Sequence, residues 1–261
     1  MFTPPEIAYF TLFGFPVYYY GIILAVAILV GVIVANYIAI KEYLLLNIIP
    51  NIATSVIIGG IIGARLYYCL LNHSIYLKNP LEILMIREGG LSIHGAIIGG
   101  ALVLFYQAKK NNIEFLKLCD ICATGLPIAQ AIGRWGNFFN SEAFGYPTNL
   151  PWKMFIRQPY RPDEYFNYEY FHPTFLYESL LNIVVFVILY KFILKQQKHQ
   201  CGVITAWYLI LYSFVRIFTE TFRIDCVKYI WNIPVPIFIS VILIIASALF
   251  IYIKNKNKST L

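Results

Sequence analysis

Seven long apolar segments, joined by shorter polar connections, dominate this sequence. They lie near 18–40, 52–71, 89–108, 118–134, 173–194, 203–222 and 234–253. A helix of about 20 residues crosses a hydrocarbon core of about 30 Å, so each segment is close to the length of one span. The pattern predicts an all-α integral membrane protein with seven transmembrane helices, folded as a single polytopic domain over 1–261.

The composition supports the same class of protein. Hydrophobic residues make up 59% of the chain and charged residues only 13%, whereas soluble domains carry about 25% charge. This shortage excludes a soluble globular protein and a disordered chain. The net charge of +7 does not indicate a nucleic-acid partner, because the basic residues lie in short connections and form no continuous stripe.

The charge of the connections predicts the orientation of the helices. With seven spans, one side of the membrane carries ten basic residues against two acidic ones, and the other side carries seven against eight. Connections rich in Lys and Arg stay in the cytoplasm. We therefore expect the N-terminus outside, the C-terminus in the cytoplasm, and a small periplasmic or extracellular cap, 135–172, inserted between spans four and five.

The cysteines indicate neither a disulfide framework nor a metal site. The five cysteines are scattered, and Cys119 and Cys122 form a lone CxxC pair. A structural zinc site needs two further ligands at useful spacing, and the sequence offers none. We expect no metal and no other cofactor.

Ionisable residues within the apolar segments are the main functional signal. A charged side chain at the bilayer centre costs about 2.5–3.5 kcal/mol on the insertion scale, so each one needs a reason. For Arg65 and Glu178 a buried ion pair that fixes the register of two helices is an open alternative. Tyr212, Arg216, Glu220 and Arg223 are spaced 4, 4 and 3 residues apart. This spacing predicts one helix face with an Arg216–Glu220 pair, typical of a polar cavity wall.

A second concentration of polar residues lies where the fourth span ends. The segment 133–145 combines three glycines with Arg134, Asn137, Asn140, Ser141 and Glu142. Arg presents a planar fork of donors that matches phosphate oxygens, so an Arg at headgroup depth predicts a phospholipid phosphate ligand. The alternative is an Arg that merely extends to the interface from a turn.

Two histidines complete the candidate set. His94 lies among glycines at the outer start of the third span, and histidine suits proton transfer near neutral pH. A lone His in an apolar helix is more often a packed core residue. His172 precedes Pro173 at a helix start, a position that favours a structural role.

These motifs resemble those of the bacterial prolipoprotein diacylglyceryl transferases. The closest match is Gly133–Gly145, which is similar to the family signature GRxGNFxNxExxG. Further blocks follow in family order: Tyr20-Gly21, Gly89 to Gly95, His172-Pro173, Leu176-Tyr177-Glu178, and Tyr212 with Arg216, Glu220 and Arg223. Departures from the family pattern are Ala96, Trp135, Ser141 and the segment 146–171.

The resemblance implies an enzyme of the bacterial cytoplasmic (inner) membrane with its active site toward the outer leaflet. Such an enzyme transfers the diacylglyceryl group of phosphatidylglycerol to the lipobox cysteine of a prolipoprotein signal peptide. A thioether forms and glycerol phosphate leaves. The implied partners are phosphatidylglycerol, prolipoproteins and membrane lipid, and no cofactor is implied.

The chemistry of the candidate side chains suits this reaction. We expect His94 to take the thiol proton, and Arg134 and Arg216 to hold the leaving phosphate. The expected lipid-binding residues are Arg134, Tyr20, Asn137, Asn140, Glu142, Gly145, Tyr212, Glu220 and Arg223, with His172 and Glu178 as further candidates.

A transporter or channel for an anionic substrate is the main alternative. Such a protein would also place Arg and Glu inside the membrane. The polar groups gather toward the outer half of the spans, and the sequence shows no internal repeat. Inverted repeats are common in transporters, so both features favour an enzyme.

Overall fold

The structure is a computed structural model that describes residues 1–43, 45, 48–86, 89–195, 200–224 and 229–259. Some residues that contribute to the charge comparison lie outside these ranges. They are Arg87, Glu88, Lys198, Asp225 and Lys228.

The chain is mainly helical, with three short antiparallel strand pairs. Its elements are β1 (Tyr9–Leu12), β2 (Phe15–Tyr18), α1 (Tyr19–Tyr43), α2 (Ile49–Leu71), α3 (His73–Tyr76), α4 (Ile93–Lys110), α5 (Phe115–Phe139), β3 (Met154–Phe155), β4 (Tyr170–Phe171), α6 (Thr174–Lys195), α7 (Val203–Glu220), β5 (Tyr229–Ile230), β6 (Ile233–Pro234) and α8 (Val235–Ser259). The strand pairs are β1–β2, β3–β4 and β5–β6.

Six helices in the described part of the chain are long and apolar enough to cross a membrane, namely α1, α2, α5, α6, α7 and α8. Large apolar side chains on them remain exposed, including Ile33 at 58%, Leu70 at 71% and Leu249 at 56%. Water would penalise such a surface, whereas lipid would not. The chain is therefore a multi-pass membrane protein.

The third predicted span, 89–108, is helical but shorter than expected. It corresponds to α4, which has 18 residues and ends in Lys109 and Lys110. Helix α4 is not among the six apolar helices found in the described residues. The two lysines lower the hydropathy of its last turn. A span at α4 stays a prediction.

The fourth predicted span is longer than the sequence indicates. Helix α5 continues through Gly133 and Gly136 to Phe139, so the cap begins after residue 139 rather than at 135. Glycine in this helix serves close packing, because a Cβ on Gly136 would lie 2.6 Å from the Tyr20 ring. A glycine used for packing and one used for a turn look alike in a sequence.

Helix α7 ends before the last residue of the predicted polar helix face, which runs from Tyr212 to Arg223. It ends at Glu220, so Arg223 does not lie on the same helix as Tyr212 and Arg216. The backbone of Arg223 instead forms an isolated antiparallel bridge with Gly145. The spacing argument for a four-residue helix face was wrong at its last member.

The structure divides into two compact units, 1–35 with 122–261 and 36–121. In the smaller unit, helices α2 and α4 pack backbone against backbone. A Cβ on Gly99 would overlap the Gly59 carbonyl oxygen and lie 3.0 Å from the Gly63 Cα. Glycines at these positions allow the close approach that side-chain packing in lipid requires.

Arg65 organises the loop that follows α3 in the smaller unit. Its side chain is buried, and it donates hydrogen bonds to the carbonyl oxygens of Ile83 at 2.9 Å and Gly89 at 2.7 Å. Glu82 and Gly90 offer further carbonyl oxygens to the same guanidinium. Backbone carbonyls therefore satisfy this cation where an ion pair was the expected alternative.

In the larger unit, an apolar core joins the cap to the first turn of α6. Its members are Phe144, Met154, Ile156, Phe171 and Phe175. The N-terminal residue Phe2 adds a parallel bridge to Met154, with its N–H donated to the Lys153 carbonyl oxygen at 2.9 Å.

A short extended segment near Gly145 connects the cap to the ends of two helices. The Gly145 N–H donates to the His172 carbonyl oxygen at 2.9 Å, and the Tyr146 N–H donates to the Phe222 carbonyl oxygen at 2.9 Å. A Cβ on Gly145 would overlap the Phe222 oxygen. Only glycine fits between these two backbones.

The close contact between α2 and α4 leads to a testable prediction about the stability of the protein. Gly99→Ala adds a Cβ against backbone atoms that cannot move aside, and we expect it to lower the free energy of unfolding by about 2 kcal/mol. Gly100→Ala is the matched control, because its Cβ would have its nearest neighbour, Val56 Cγ1, at 3.6 Å. Thermal unfolding of both purified variants in detergent measures the difference, and equal melting temperatures would contradict the prediction.

Candidate active site

The centre of the site is an ion pair between two membrane helices of the larger unit. Arg134 on α5 approaches Glu178 on α6, with 2.8 Å between Arg134 Nη2 and Glu178 Oε1. The Glu178 side chain is 1% exposed and the Arg134 side chain 25% exposed. The carboxylate is thus buried, while the guanidinium still reaches open space.

A second guanidinium approaches the same carboxylate. Arg223 Nη1 lies 4.0 Å from Glu178 Oε2. The extended segment at Gly145 positions Arg223, since the two residues form a backbone bridge. Glu178 therefore lies between two cations that come from α5 and from the chain beyond α7.

Polar side chains extend from Arg134 toward the cap. Arg134 Nη1 donates a hydrogen bond to Asn137 Oδ1 at 3.3 Å, and Asn137 Nδ2 donates to Glu142 Oε1 at 2.8 Å. Tyr212 and Tyr20 also contribute to the electrostatic surroundings of the Arg134 guanidinium. Tyr20, Arg134, Asn137, Glu142 and Tyr212 therefore lie near one another, and their role in lipid binding stays a prediction.

A polar pocket of about 710 Å³ opens beside these residues. Its walls combine the end of α5, the loop that follows it, the cap and the segment after α7. The lining residues are Arg134, Asn137, Asn140, Ser141, Glu142, Ala143, Phe144, Tyr160, Pro162, Arg223 and Ile224. A concave space with two guanidiniums on its wall suits a ligand with a negatively charged group.

An apolar groove of about 350 Å³ lies between α1, α5 and α6. Helix α5 contributes to both spaces, because Arg134 lines the polar pocket while Trp135 lines the groove. The groove is lined by Ile22, Ile23, Val26, Ile128, Ala131, Ile132, Trp135, Phe139, Ser179 and Ile183.

The predicted pair on α7 is confirmed. Arg216 Nη2 lies 2.7 Å from Glu220 Oε2. Neither residue is among the described residues that line the polar pocket. The structure therefore joins Arg134 with Arg223 through Glu178, and the role of Arg216 at the phosphate stays a prediction.

His94 belongs to the smaller unit. It lies in the first turn of α4 and is exposed. Its ring centroid is 6.2 Å from that of Tyr67 on α2. The exposed imidazole is available to a ligand, and its role as a base stays a prediction.

His172 serves the cap. Its Nδ1 lies 3.0 Å from the Tyr177 hydroxyl, which also accepts a hydrogen bond from Trp152 Nε1 at 2.9 Å. Partial burial lowers the pKa of His172 below its ordinary value, which favours the neutral imidazole. Its backbone binds Gly145 and Tyr146. These contacts favour a structural role.

Sequence reasoning missed several residues at the site. Gly136 lies against Tyr20, and Trp135 with Phe139 forms part of the groove. Tyr160 and Pro162 reach the pocket from the cap. The three α5 residues lie within the signature segment 133–145 and therefore carried a signal; the cap residues carried none.

The buried carboxylate of Glu178 leads to a testable prediction about stability. We expect Glu178→Gln to lower the free energy of unfolding by about 2 kcal/mol, because two guanidiniums lose their shared counter-charge while Arg134 keeps partial access to water. Glu142→Gln makes the same chemical change at an exposed position and should stay within about 0.5 kcal/mol of the original protein. Thermal unfolding in detergent compares the two, and an equal loss for both variants would argue against a buried charge cluster.

Comparison with known proteins identifies the family. A family model described as prolipoprotein diacylglyceryl transferase matches residues 7–253. Relatives named phosphatidylglycerol–prolipoprotein diacylglyceryl transferase include one from Thermotoga maritima, 43% identical over 238 residues, which cover 90% of this chain and 80% of the relative. One from Nostoc sp. is 40% identical over 229 residues, covering 86% of this chain and 81% of the relative.

A third relative of the same name comes from Synechococcus elongatus. It is 45% identical over 212 residues, covering 79% of this chain and 73% of the relative. The match of the family model runs across both units and all the helices that border the pocket and the groove. The chain belongs to the prolipoprotein diacylglyceryl transferase family.

Proposed function

We propose that this chain transfers the diacylglyceryl group of phosphatidylglycerol to a cysteine thiol at the lipobox of a prolipoprotein. The sulfur forms a bond to the glycerol carbon of the diacylglyceryl group, and the bond between that carbon and the phosphate oxygen breaks. The oxygen keeps the electron pair, so glycerol phosphate leaves. The thiol proton passes to a base.

The observation that carries this proposal is the pair of arginines that line the polar pocket. Arg134 and Arg223 bring two positive charges to the buried carboxylate of Glu178. These three side chains together keep one net positive charge at the place where a phosphodiester would bind, while the exposed carboxylate of Glu142, hydrogen-bonded to Asn137, lies farther along the same pocket wall. The charge on the phosphate grows as the carbon–oxygen bond opens, and preorganised donors at the site stabilise it.

The apolar groove supports a lipid donor. A phospholipid needs an apolar surface for its chains and a polar site for its headgroup. Helix α5 offers both, since Trp135 lines the groove and Arg134 lines the pocket. A channel for a small anion needs no apolar groove beside its charged residues, so this pairing favours the enzyme over the transporter.

Other polar residues of the pocket suit the headgroup. Asn137, Asn140 and Glu142 offer hydrogen-bond donors and acceptors to glycerol hydroxyls. Gly145 holds the backbone that carries Arg223. We assign Arg216 and its partner Glu220 to the same leaving group, as a second cation on α7.

The position in the cell forms part of the proposal. We place seven helices in the bacterial cytoplasmic membrane, with the N-terminus outside and the cap on the outer face. The excess of basic residues in the connections after the first, third and fifth spans supports this orientation. The pocket next to the cap would then face the outer leaflet, where an exported prolipoprotein presents its cysteine.

Arg134 gives the direct test of the proposed function. Purified protein in detergent should label a lipobox peptide from radiolabelled phosphatidylglycerol. We expect Arg134→Ala to reduce this transfer at least about a hundredfold, as the loss of one preorganised donor does elsewhere. Arg134→Lys should fall nearly as far, because a point charge does not replace a planar fork.

The amount of folded protein, measured by size-exclusion chromatography, separates lost chemistry from lost folding in both variants. If the unaltered protein does not label the peptide, the proposed enzymatic function is wrong and the transporter alternative is favoured. Normal turnover by Arg134→Lys would overturn phosphate binding by the guanidinium fork while leaving the enzyme in place.

His94 gives a second prediction. The thiolate is the reactive form of cysteine, whose ordinary pKa is about 8.5, so a base should accelerate transfer below that pH. We expect His94→Gln to reduce transfer about a hundredfold near neutral pH and to show a smaller deficit as the pH rises. His73→Gln is the control, since His73 is also exposed in the smaller unit. Full activity with an unchanged pH profile in His94→Gln would eliminate the base.

A further inference from the structure

Tyr160 is an exposed aromatic residue of the cap. It lines the same pocket as Arg134 and Arg223, yet 54% of its surface is exposed. A large aromatic side chain usually gains stability by burial, and Tyr160 forgoes much of that gain. Its exposed ring and hydroxyl are therefore available to a ligand in the pocket.

The turn that carries Tyr160 is held firmly on both sides. Before it, Arg157 donates hydrogen bonds to the carbonyl oxygens of Pro5 at 2.7 Å and Pro4 at 3.1 Å. After it, Arg161 donates to the carbonyl oxygen of Ile156 at 2.8 Å. Ordering two long side chains costs conformational entropy. These hydrogen bonds fix the backbone of the turn that carries Tyr160 beside the pocket before any ligand arrives.

We propose that the Tyr160 hydroxyl hydrogen-bonds to the terminal glycerol of the phosphatidylglycerol headgroup and so helps to select this lipid. The inference rests on the function proposed above. Arg134 and Arg223 satisfy the phosphate, and the groove beside Trp135 satisfies the apolar chains. Each of the two glycerol hydroxyls can both donate and accept a hydrogen bond, so they can use Tyr160 in addition to the pocket residues Asn137, Asn140 and Glu142.

Chemistry favours the glycerol over the acceptor peptide as the partner of Tyr160. A phenol both donates and accepts a hydrogen bond, as does each glycerol hydroxyl. An unpaired polar group in a partly dehydrated pocket costs binding free energy, so a lipid without hydroxyls would lose this contact. Tyr160 is thus a residue that contacts substrate and sets specificity.

The test compares two lipids and two tyrosines. Tyr160→Phe removes only the hydroxyl, and Tyr168→Phe makes the same change at a cap tyrosine with 55% exposure that is not among the described residues lining the pocket. Phosphatidylethanol is also a monoanionic phosphodiester but lacks the glycerol hydroxyls. The rate of peptide labelling from phosphatidylglycerol is measured alone and with phosphatidylethanol as a competing lipid.

We expect Tyr160→Phe to raise KM for phosphatidylglycerol about fivefold, the loss of one net hydrogen bond, with kcat and KM for the peptide unchanged. The inhibition constant of phosphatidylethanol should stay the same. Tyr168→Phe should match the original protein in every measurement.

Three results would overturn the assignment of Tyr160. They are an unchanged KM for phosphatidylglycerol, an equal weakening of both lipids, and a rise in KM for the peptide, which would assign Tyr160 to the acceptor. If the original protein fails to label the peptide, the proposed function is itself overturned, together with this inference. Activity of the original protein therefore separates the two failures.

Discussion

The arrangement of the site depends on the ion pairs that Arg134 and Arg223 form with the carboxylate of Glu178. An unpaired carboxylate buried at 1% exposure would be strongly unfavourable, and so would two guanidiniums held close together without a counter-charge. Each group makes the burial of the others tolerable. The pairing also fixes positions, because Arg134, Glu178 and Arg223 belong to three separate parts of the chain. Folding the larger unit correctly therefore assembles the cationic wall of the pocket.

Backbone hydrogen bonds position Arg223 next to Glu178. Arg223 lies beyond the end of α7, where no helix constrains it. The segment at Gly145 holds this part of the chain in place, since its backbone hydrogen-bonds to His172 on one side and to Phe222 on the other. A side chain at position 145 would separate these strands and move Arg223 away from Glu178. The glycine thus affects the charges without contacting a ligand.

Local patterns predicted much of this molecule, and contacts between distant segments account for what they missed. Each apolar segment became a helix, and the Arg216–Glu220 pair formed at the predicted spacing. Periodicity does not show where a helix ends, so Arg223 was placed wrongly. Nor does it show which arginine meets Glu178, because those residues lie far apart in sequence. Tyr160 was missed because its relation to the pocket depends on the fold of the whole cap.

Helix α5 shows how one helix can border two binding spaces, one polar and one apolar, as a ligand with a polar and an apolar end requires. Successive residues on a helix point about 100° apart, so Arg134 and Trp135 face different surroundings although they are neighbours. Arg134 faces the polar pocket and Trp135 the apolar groove. A lipid bound across this helix would be fixed at its phosphate and along its chains at once. Binding energy from the unreactive chains can then hold the reacting carbon in place, which is the role that remote contacts play in catalysis.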